Sequence, residues 1–144
     1  MQTIIGIVDV KSTAVYFHAQ LTSTYSSVNT GVVFGSIKLN LGNALNPETG
    51  VFVAPTPGKY YFAYSGISDN GVDVRVLLQV KTVTGDWAGI GEGYGDLSYK
   101  TFSFHGTLQL LKDDQVRLFL TEGRIHESDT HIYTNYVGWL IEEN

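Results

Sequence analysis

Lys59-Tyr60-Tyr61-Phe62-Ala63-Tyr64-Ser65 is the stretch that decides the fold, because aromatic residues occupy every second position in it. Successive side chains of a β-strand point to opposite faces, so Tyr60, Phe62 and Tyr64 share one face. Their rings are expected to form one row in a hydrophobic core. Gly58 follows a proline and supplies the turn that begins the strand. The stretch therefore predicts a half-buried β-strand at the centre of the fold.

Similar short stretches, rich in Val, Ile, Tyr, Phe and Thr, lie on both sides of this strand. Gly, Asn, Asp and Pro separate them, and no amphipathic helix pattern stands out. Strands are predicted at 14–21, 32–34, 51–54, 59–65, 74–80, 101–105 and 133–141, with a hairpin of 108–110 and 116–120 around Lys112-Asp113-Asp114. The glycines at 89, 91, 93 and 95 predict a flexible loop beside Trp87. The pattern predicts an all-β fold, a ten-stranded antiparallel jelly-roll sandwich.

Composition indicates one domain and excludes several classes of function. The chain has 144 residues and a net charge of −5, and it contains no cysteine. Its acidic balance argues against nucleic-acid binding, and the absence of cysteine excludes disulfides and thiolate metal sites. No run approaches the ~20 apolar residues of a membrane span. We expect an N-terminal arm at 1–13 and a single domain at 14–144.

A spaced pattern between residues 34 and 64 resembles the signature of the complement C1q globular-head family. All eight signature positions are filled acceptably: Phe34, Asn40, Leu45, Phe52, Gly58, Tyr60, Phe62 and Tyr64. Further matching blocks follow at 76–80, 106–110, 114–118 and 136–140, so the resemblance covers nearly the whole chain. Asp113 departs from the pattern, because the family usually has glycine there. The family is related to the jelly rolls of the tumour necrosis factor group.

The resemblance implies a function of recognition without catalysis. The chain resembles the stalkless invertebrate members of the family, which are secreted, lectin-like proteins of innate immunity. What it implies here is a homotrimer that binds carbohydrate or other microbial surface ligands. The alternative is a structural or signalling trimer whose head binds a protein receptor. Secretion is expected from the resemblance alone, since Met1–Asp9 lacks the basic region and the length of a signal peptide.

The densest polar cluster precedes the predicted last strand and supplies the candidate ligand contacts. These are Arg124, His126, Glu127, Asp129 and His131. Loops on a rigid sandwich are where binding groups concentrate, although a plain solvated loop is the alternative. The two histidines are five residues apart in a predicted loop, which does not match the helical i, i+4 spacing of a zinc protease. No nucleophile elbow or dinucleotide fingerprint occurs, so we expect no enzyme.

Calcium is the one cofactor that the resemblance suggests. Several family members hold calcium near one end of the trimer axis through acidic and amide oxygens. Alignment through Tyr94-Gly95-Asp96 and Leu108-Gln109-Leu110 puts Asp96 and Gln109 at matching places. Calcium takes six to eight oxygen ligands, so other groups would have to complete the site. The alternative is that Asp96 is a turn residue and Gln109 a solvated strand position.

Overall fold

The computed structural model describes residues 14–144, and the predicted N-terminal arm at 1–13 lies outside the described residues. Eleven strands make up the described part, three of them only two residues long. Their bounds are β1 Tyr16–Gln20, β2 Thr30–Gly31, β3 Ser36–Leu41, β4 Phe52–Val53, β5 Gly58–Ser68, β6 Val74–Lys81, β7 Ala88–Gly95, β8 Thr101–Leu110, β9 Gln115–Glu122, β10 Ile125–His126 and β11 Asn135–Glu143. Residues 14–144 include no helix that is long and apolar enough to cross a membrane.

The strands form two antiparallel sheets that pack face to face, which confirms the predicted jelly-roll class. Sheet I has the order β2-β9-β6-β7, and β4 pairs with the other end of β9. Sheet II has the order β8-β5-β11-β1-β3, and the short strand β10 pairs with Ile67 and Ser68 at the end of β5. The decisive stretch thus lies in β5, the 11-residue strand that hydrogen-bonds to three neighbours. The edge strand β3 was not predicted, and its residues, all partly or fully exposed, do not alternate between buried and exposed positions.

The core is the row of rings that the alternation predicted. Tyr60 and Phe62 are completely buried, and Tyr64 is almost so. Phe52 comes from the opposite sheet and packs edge-on against Tyr60 and Phe62, at centroid distances of 5.5 and 5.2 Å. Phe34 is buried as well, against the ring of Tyr136. The two signature phenylalanines, Phe34 and Phe52, therefore both belong to the core.

The glycine-rich stretch is a strand, so the prediction of a flexible loop was wrong. Gly91, Gly93 and Gly95 alternate with Glu92 and Tyr94 along β7. A Cβ at Gly91 would overlap the Phe104 ring, and one at Gly93 would crowd the backbone of Ser103. Strand β8 therefore lies so close to β7 that the inward positions hold no side chain. The glycines serve close packing and not flexibility.

The predicted hairpin around Lys112-Asp113-Asp114 was also wrong. Strand β8 pairs with β5 in sheet II, whereas β9 pairs with β6 in sheet I. The turn at 111–114 consequently crosses from one sheet to the other. Asp114 closes this turn by accepting a hydrogen bond from the Leu111 amide at 2.9 Å, and Asp113 adopts a φ of 72°. Both strands were located correctly, but sequence proximity did not decide their pairing.

The sandwich has two distinct ends, which we call basal and apical. The basal end holds residues 14–15, 55–58 and 143–144, because β11 runs back along β5 until Glu143 lies opposite Gly58. The apical end lies at the other end of β5, near Ser68. Ten residue steps of an antiparallel strand separate the two ends by about 34 Å. The apical end comprises the loops at 69–73, 96–100 and 123–134.

Candidate functional site

A carboxylate at the apical end holds two of the predicted ligand residues together. Asp69 accepts a hydrogen bond from Arg124 Nε at 2.7 Å and contacts His126 Nδ1 at 3.0 Å. The short strand β10 makes this possible, since Ile125 pairs with Ser68 and points into the core. Its neighbours Arg124 and His126 point to the other face and reach the residue after β5.

The charge of Asp69 is stabilised in this arrangement. The hydrogen bond from the Arg124 guanidinium lowers the pKa of Asp69, while partial burial of the carboxylate acts in the opposite direction. Contacts with the Asn70 backbone and with His126 lower the pKa further. Asp69 is therefore an ionised positioning group, and Arg124 and His126 are the groups that it holds.

Aromatic rings surround His126 on the apical surface. The Tyr99 ring meets the His126 ring edge-on at 4.9 Å, and the Tyr133 ring lies 5.6 Å away. The ring of His131 stacks on Tyr133 at 6.3 Å. Tyr99 is 51% exposed and Tyr133 38%, so both present ring surface to solvent. We call Asp69, Tyr99, Arg124, His126 and Tyr133 the apical cluster.

The other three predicted contact residues have different positions. Glu127 is only 5% exposed, and its carboxylate accepts hydrogen bonds from the amides of Ser128, Tyr133 and Thr134. Glu127 therefore stabilises the conformation of the loop and does not face the solvent. Asp129 and His131 are exposed, and the ring of His131 contacts the Thr130 hydroxyl. The ligand-binding role of these residues stays a prediction, but only Arg124 and His126 are brought together.

Asp69 was missed by sequence reasoning, and Tyr99 and Tyr133 were not connected with the loop. Asp69 lies 55 residues before Arg124, and nothing in the local pattern links the two. The available signal was positional, because Asp69 comes four residues after the predicted strand at 59–65 and loops at one strand end converge. Tyr99 has a φ of 66°, which turns the chain sharply at the apical end.

The predicted calcium pair is separated by most of the molecule. The carbonyl oxygen of Asp96 accepts a hydrogen bond from Ser68 at the apical end. Gln109 instead donates to Gly58 O at 3.1 Å and contacts Asn144 at the basal end. One chain cannot hold a single ion with both, so this prediction was wrong. Residues 14–144 contain no group of three His, Cys, Asp or Glu side chains placed to hold a metal.

The outer face of sheet II carries a second unusual surface, made of aromatic and small residues. Trp139 stacks on Tyr16 at 5.5 Å and lies 4.7 Å from Tyr61, which in turn neighbours His105. A shallow hollow of about 260 Å³ adjoins these rings and is lined by residues such as Ala63, Ser65, Ser103, Asn135 and Val137. The middle of this face has no Asp, Glu, Lys or Arg on β1, β5, β8 or β11.

Comparison with known proteins agrees with this architecture. The sequence model of the C1q domain family matches residues 16–141. Complement C1q tumor necrosis factor-related protein 3 from Mus musculus is 32% identical over 130 residues, which cover 88% of this chain and 51% of that protein. The Homo sapiens protein of the same name gives the same values, and Caprin-2 from Danio rerio is 26% identical over 132 residues. The chain spans about half the length of the first two relatives.

Solved structures show the same fold at low sequence identity. The globular domain of zebrafish complement 1qA protein has a TM-score of 0.70 at 20% identity and covers 90% of this chain and 98% of that one. Eiger TNF from S. frugiperda has a TM-score of 0.71 at 8% identity, with 92% and 96% covered. Murine APRIL has a TM-score of 0.63 at 14% identity, with 86% and 98% covered. The chain belongs to the C1q domain family, and its fold is shared with tumour-necrosis-factor jelly rolls.

Proposed function

We propose that this chain is a secreted, non-enzymatic, trimeric recognition head that binds carbohydrate or other microbial surface ligands through the apical cluster. The observation that carries the proposal is the set of exposed rings of Tyr99 and Tyr133 around His126, with Arg124 fixed beside them. Tyrosine combines an apolar ring face, on which a sugar ring can stack, with a polar tip. Histidine and arginine supply hydrogen bonds for hydroxyl groups. Membership of the C1q domain family supports secretion and trimer formation.

The uncharged face of sheet II supports the trimer. Interface centres are depleted of charged residues and enriched in aromatic ones, as the surface around Tyr61 and Trp139 is. Three chains joined through this face would place three apical clusters at one end. A single small cluster binds weakly, and three identical clusters engaged together gain affinity through multivalency.

A protein receptor is the second candidate ligand. The specific observation in its favour is the 32% identity to complement C1q tumor necrosis factor-related protein 3, which exceeds the identity to zebrafish complement 1qA protein. Exposed Leu97, Tyr99 and Ile132 at the apical end would suit an apolar protein contact as well as a sugar. The two candidates share a surface and differ in the chemistry of the ligand.

A glycan array with paired variants separates the candidates. We expect the wild-type protein to bind a subset of glycans or fixed bacteria, and the double variant Tyr99→Ala, Tyr133→Ala to lose that binding. Tyr94→Ala is the matched control, because Tyr94 is equally exposed but lies on the outer face of sheet I. Light scattering and melting temperature must be unchanged in both variants. If the wild-type protein binds no glycan and no bacterial surface, the carbohydrate proposal is overturned in favour of a protein receptor.

A further inference from the structure

Arg117 is held between two aromatic rings on the outer face of sheet I. Its guanidinium lies 4.0 Å from the centroid of the Trp87 ring and 4.9 Å from that of Phe119. Phe119 is two residues further along β9 and therefore on the same face, while Trp87 directly precedes β7. Cation–π contacts with both rings hold the guanidinium group in place.

Two further contacts restrict the arginine side chain. Its Nε donates a hydrogen bond to Gln79 Oε1 at 2.8 Å, on the neighbouring strand β6. Gly31, paired with Phe119, leaves room for the stem, because a Cβ there would lie 3.2 Å from Arg117 Cδ. A long side chain usually loses rotamer entropy when it binds a ligand, and here much of that loss has already occurred on folding.

The terminal nitrogens Nη1 and Nη2 of Arg117 nevertheless have no partner among residues 14–144. The other two arginines of the chain differ in this respect. Arg75 also stacks on a ring, that of Tyr94, but it forms ion pairs with Glu92 at 2.7 Å and Glu122 at 3.1 Å. Arg124 is paired with Asp69. Arg117 is thus a pre-oriented cation whose hydrogen-bonding fork is unused within the described part of the chain.

The surroundings of Arg117 favour an anion of low charge. Burial lowers the pKa of Arg117, and the nearby Asp86 raises it without forming an ion pair with it. Lys81 lies opposite Gln115, two residue pairs along the ladder from the Arg117–Gln79 pair, and adds a second cation without an ion pair among residues 14–144. The chain has a net charge of −5, so Asp86 and the net negative charge of the protein repel a doubly charged anion more strongly than a singly charged one.

We infer that Arg117, between Trp87 and Phe119, is a binding site for a carboxylate. A planar carboxylate accepts two parallel hydrogen bonds from a guanidinium fork, and the two flanking rings would exclude water from that contact. The carboxylate can come from an acidic sugar or from a peptide, since both carry the same group. This site lies on sheet I, away from the apical cluster, so it does not depend on the function proposed above.

The test is a titration of the whole protein with small carboxylates, followed by calorimetry and tryptophan fluorescence. The probes are glucuronate and N-acetylalanine, which each carry a single carboxylate, with inorganic phosphate as a competing anion and glucose as the neutral control. We expect saturable binding of at least one carboxylate and none of glucose. Glucuronate alone would identify an acidic-sugar site and N-acetylalanine alone a peptide site, while equal binding of both would show that only the carboxylate is recognised.

Variants assign the binding to the fork. Arg117→Lys keeps the charge but loses the two parallel donors, and it should weaken binding by about tenfold or more, as loss of a charged hydrogen bond does. Arg75→Lys is the matched control, stacked on the same face but already paired, and should bind like wild type. If Arg117→Lys lowers the melting temperature, Trp87→Leu provides a second disruption of the same site. No saturable binding, equal binding of glucose, tighter binding of inorganic phosphate, or unchanged affinity in Arg117→Lys would each overturn the inference.

Discussion

Tyr136 places a hydroxyl group inside the aromatic core without a partner among the described residues. The residue is completely buried against Phe17 and Phe34, and no hydrogen bond is available to its hydroxyl there. Burial strongly raises the pKa of Tyr136, as desolvation of a phenolate requires. We predict that Tyr136→Phe leaves the free energy of unfolding unchanged or raises it by about 1 kcal/mol, since an unpaired buried hydroxyl is destabilising.

Urea denaturation measures this prediction, and Tyr64 offers the control. Tyr64 donates a hydrogen bond to Val76 O at 2.7 Å, so Tyr64→Phe should lower the free energy of unfolding by about 1 kcal/mol. A clear loss of stability in Tyr136→Phe would show that its hydroxyl has a partner after all.

Asp69 should make part of the stability dependent on pH. The hydrogen bond from Arg124 is the main reason why the pKa of Asp69 in the folded state lies below its ordinary value of 3.8. The unfolded chain therefore takes up the proton first, and the stabilisation is present above pH 3.8 and is lost as the pH falls through the folded value. We predict that wild type exceeds Asp69→Asn in stability at neutral pH and that the difference shrinks in acid.

A double-mutant cycle with Arg124→Met identifies the partner in that effect. The coupling free energy between Asp69 and Arg124 should be measurable by denaturation at neutral pH and should vanish below the folded pKa of Asp69. Coupling that stays constant with pH would assign the interaction to packing and not to charge.

At the scale of elements, strand β7 shows how a pattern can be assigned to the wrong structure. Gly91, Gly93 and Gly95 suggested flexibility because glycine is usually placed where the backbone must bend. The same residues also have period-two spacing, with Glu92 and Tyr94 facing outward, which is the strand signal. The sequence does not reveal that the Phe104 and Phe102 rings of β8 occupy the space of the missing side chains, since that contact depends on tertiary packing.

We predict that Gly91→Ala destabilises the fold by about 1–3 kcal/mol, because its Cβ would overlap the ring of Phe104 in a filled core. Gly89→Ala is the matched control on the same strand. A Cβ at Gly89 would lie 3.7 Å from the Leu77 side chain, which is an ordinary contact, so the Gly89→Ala variant should melt at nearly the same temperature as the wild-type protein. Equal melting temperatures for the two variants would contradict the packing explanation.

The apical loop shows where prediction from residue types ends. The density of polar residues pointed to the loop that contains Arg124 and His126, and the structure brings these two together because they lie on either side of Ile125. It could not distinguish them from Glu127, whose carboxylate satisfies three loop amides that would otherwise lack an acceptor. The contribution of Asp69 arises from strand pairing between distant segments. Local sequence identifies strands and candidate side chains here, and the convergence of loops decides which of them meet.

At the scale of the whole molecule, the two outer sheet faces differ in chemistry. The face of sheet I carries paired charges such as Arg75 with Glu92 and Glu122. The middle of the sheet II face has only uncharged and histidine side chains around Trp139 and Tyr61. Exposed aromatic surface of this kind is stabilised by removal from water, which a threefold assembly would provide. This difference predicts that the face of sheet II is the one buried between chains.

We predict a mass of three chains in light scattering, against 15.8 kDa for one chain, and a shift toward monomer in Ala63→Glu. Ala63 lies at the centre of the sheet II face, opposite Val137 and His105, so a glutamate there would be buried without a cation in the trimer. The Ala63 side chain points away from the core, so the Ala63→Glu domain should keep its fold, as measured by circular dichroism.

The control variant is Gln115→Glu, which adds the same charge to the face of sheet I and should remain trimeric. A wild-type monomer at micromolar concentration would contradict the trimer and, with it, the gain in affinity from three joined apical clusters. An Ala63→Glu trimer as stable as the wild-type trimer would show that the uncharged face is not the contact between chains.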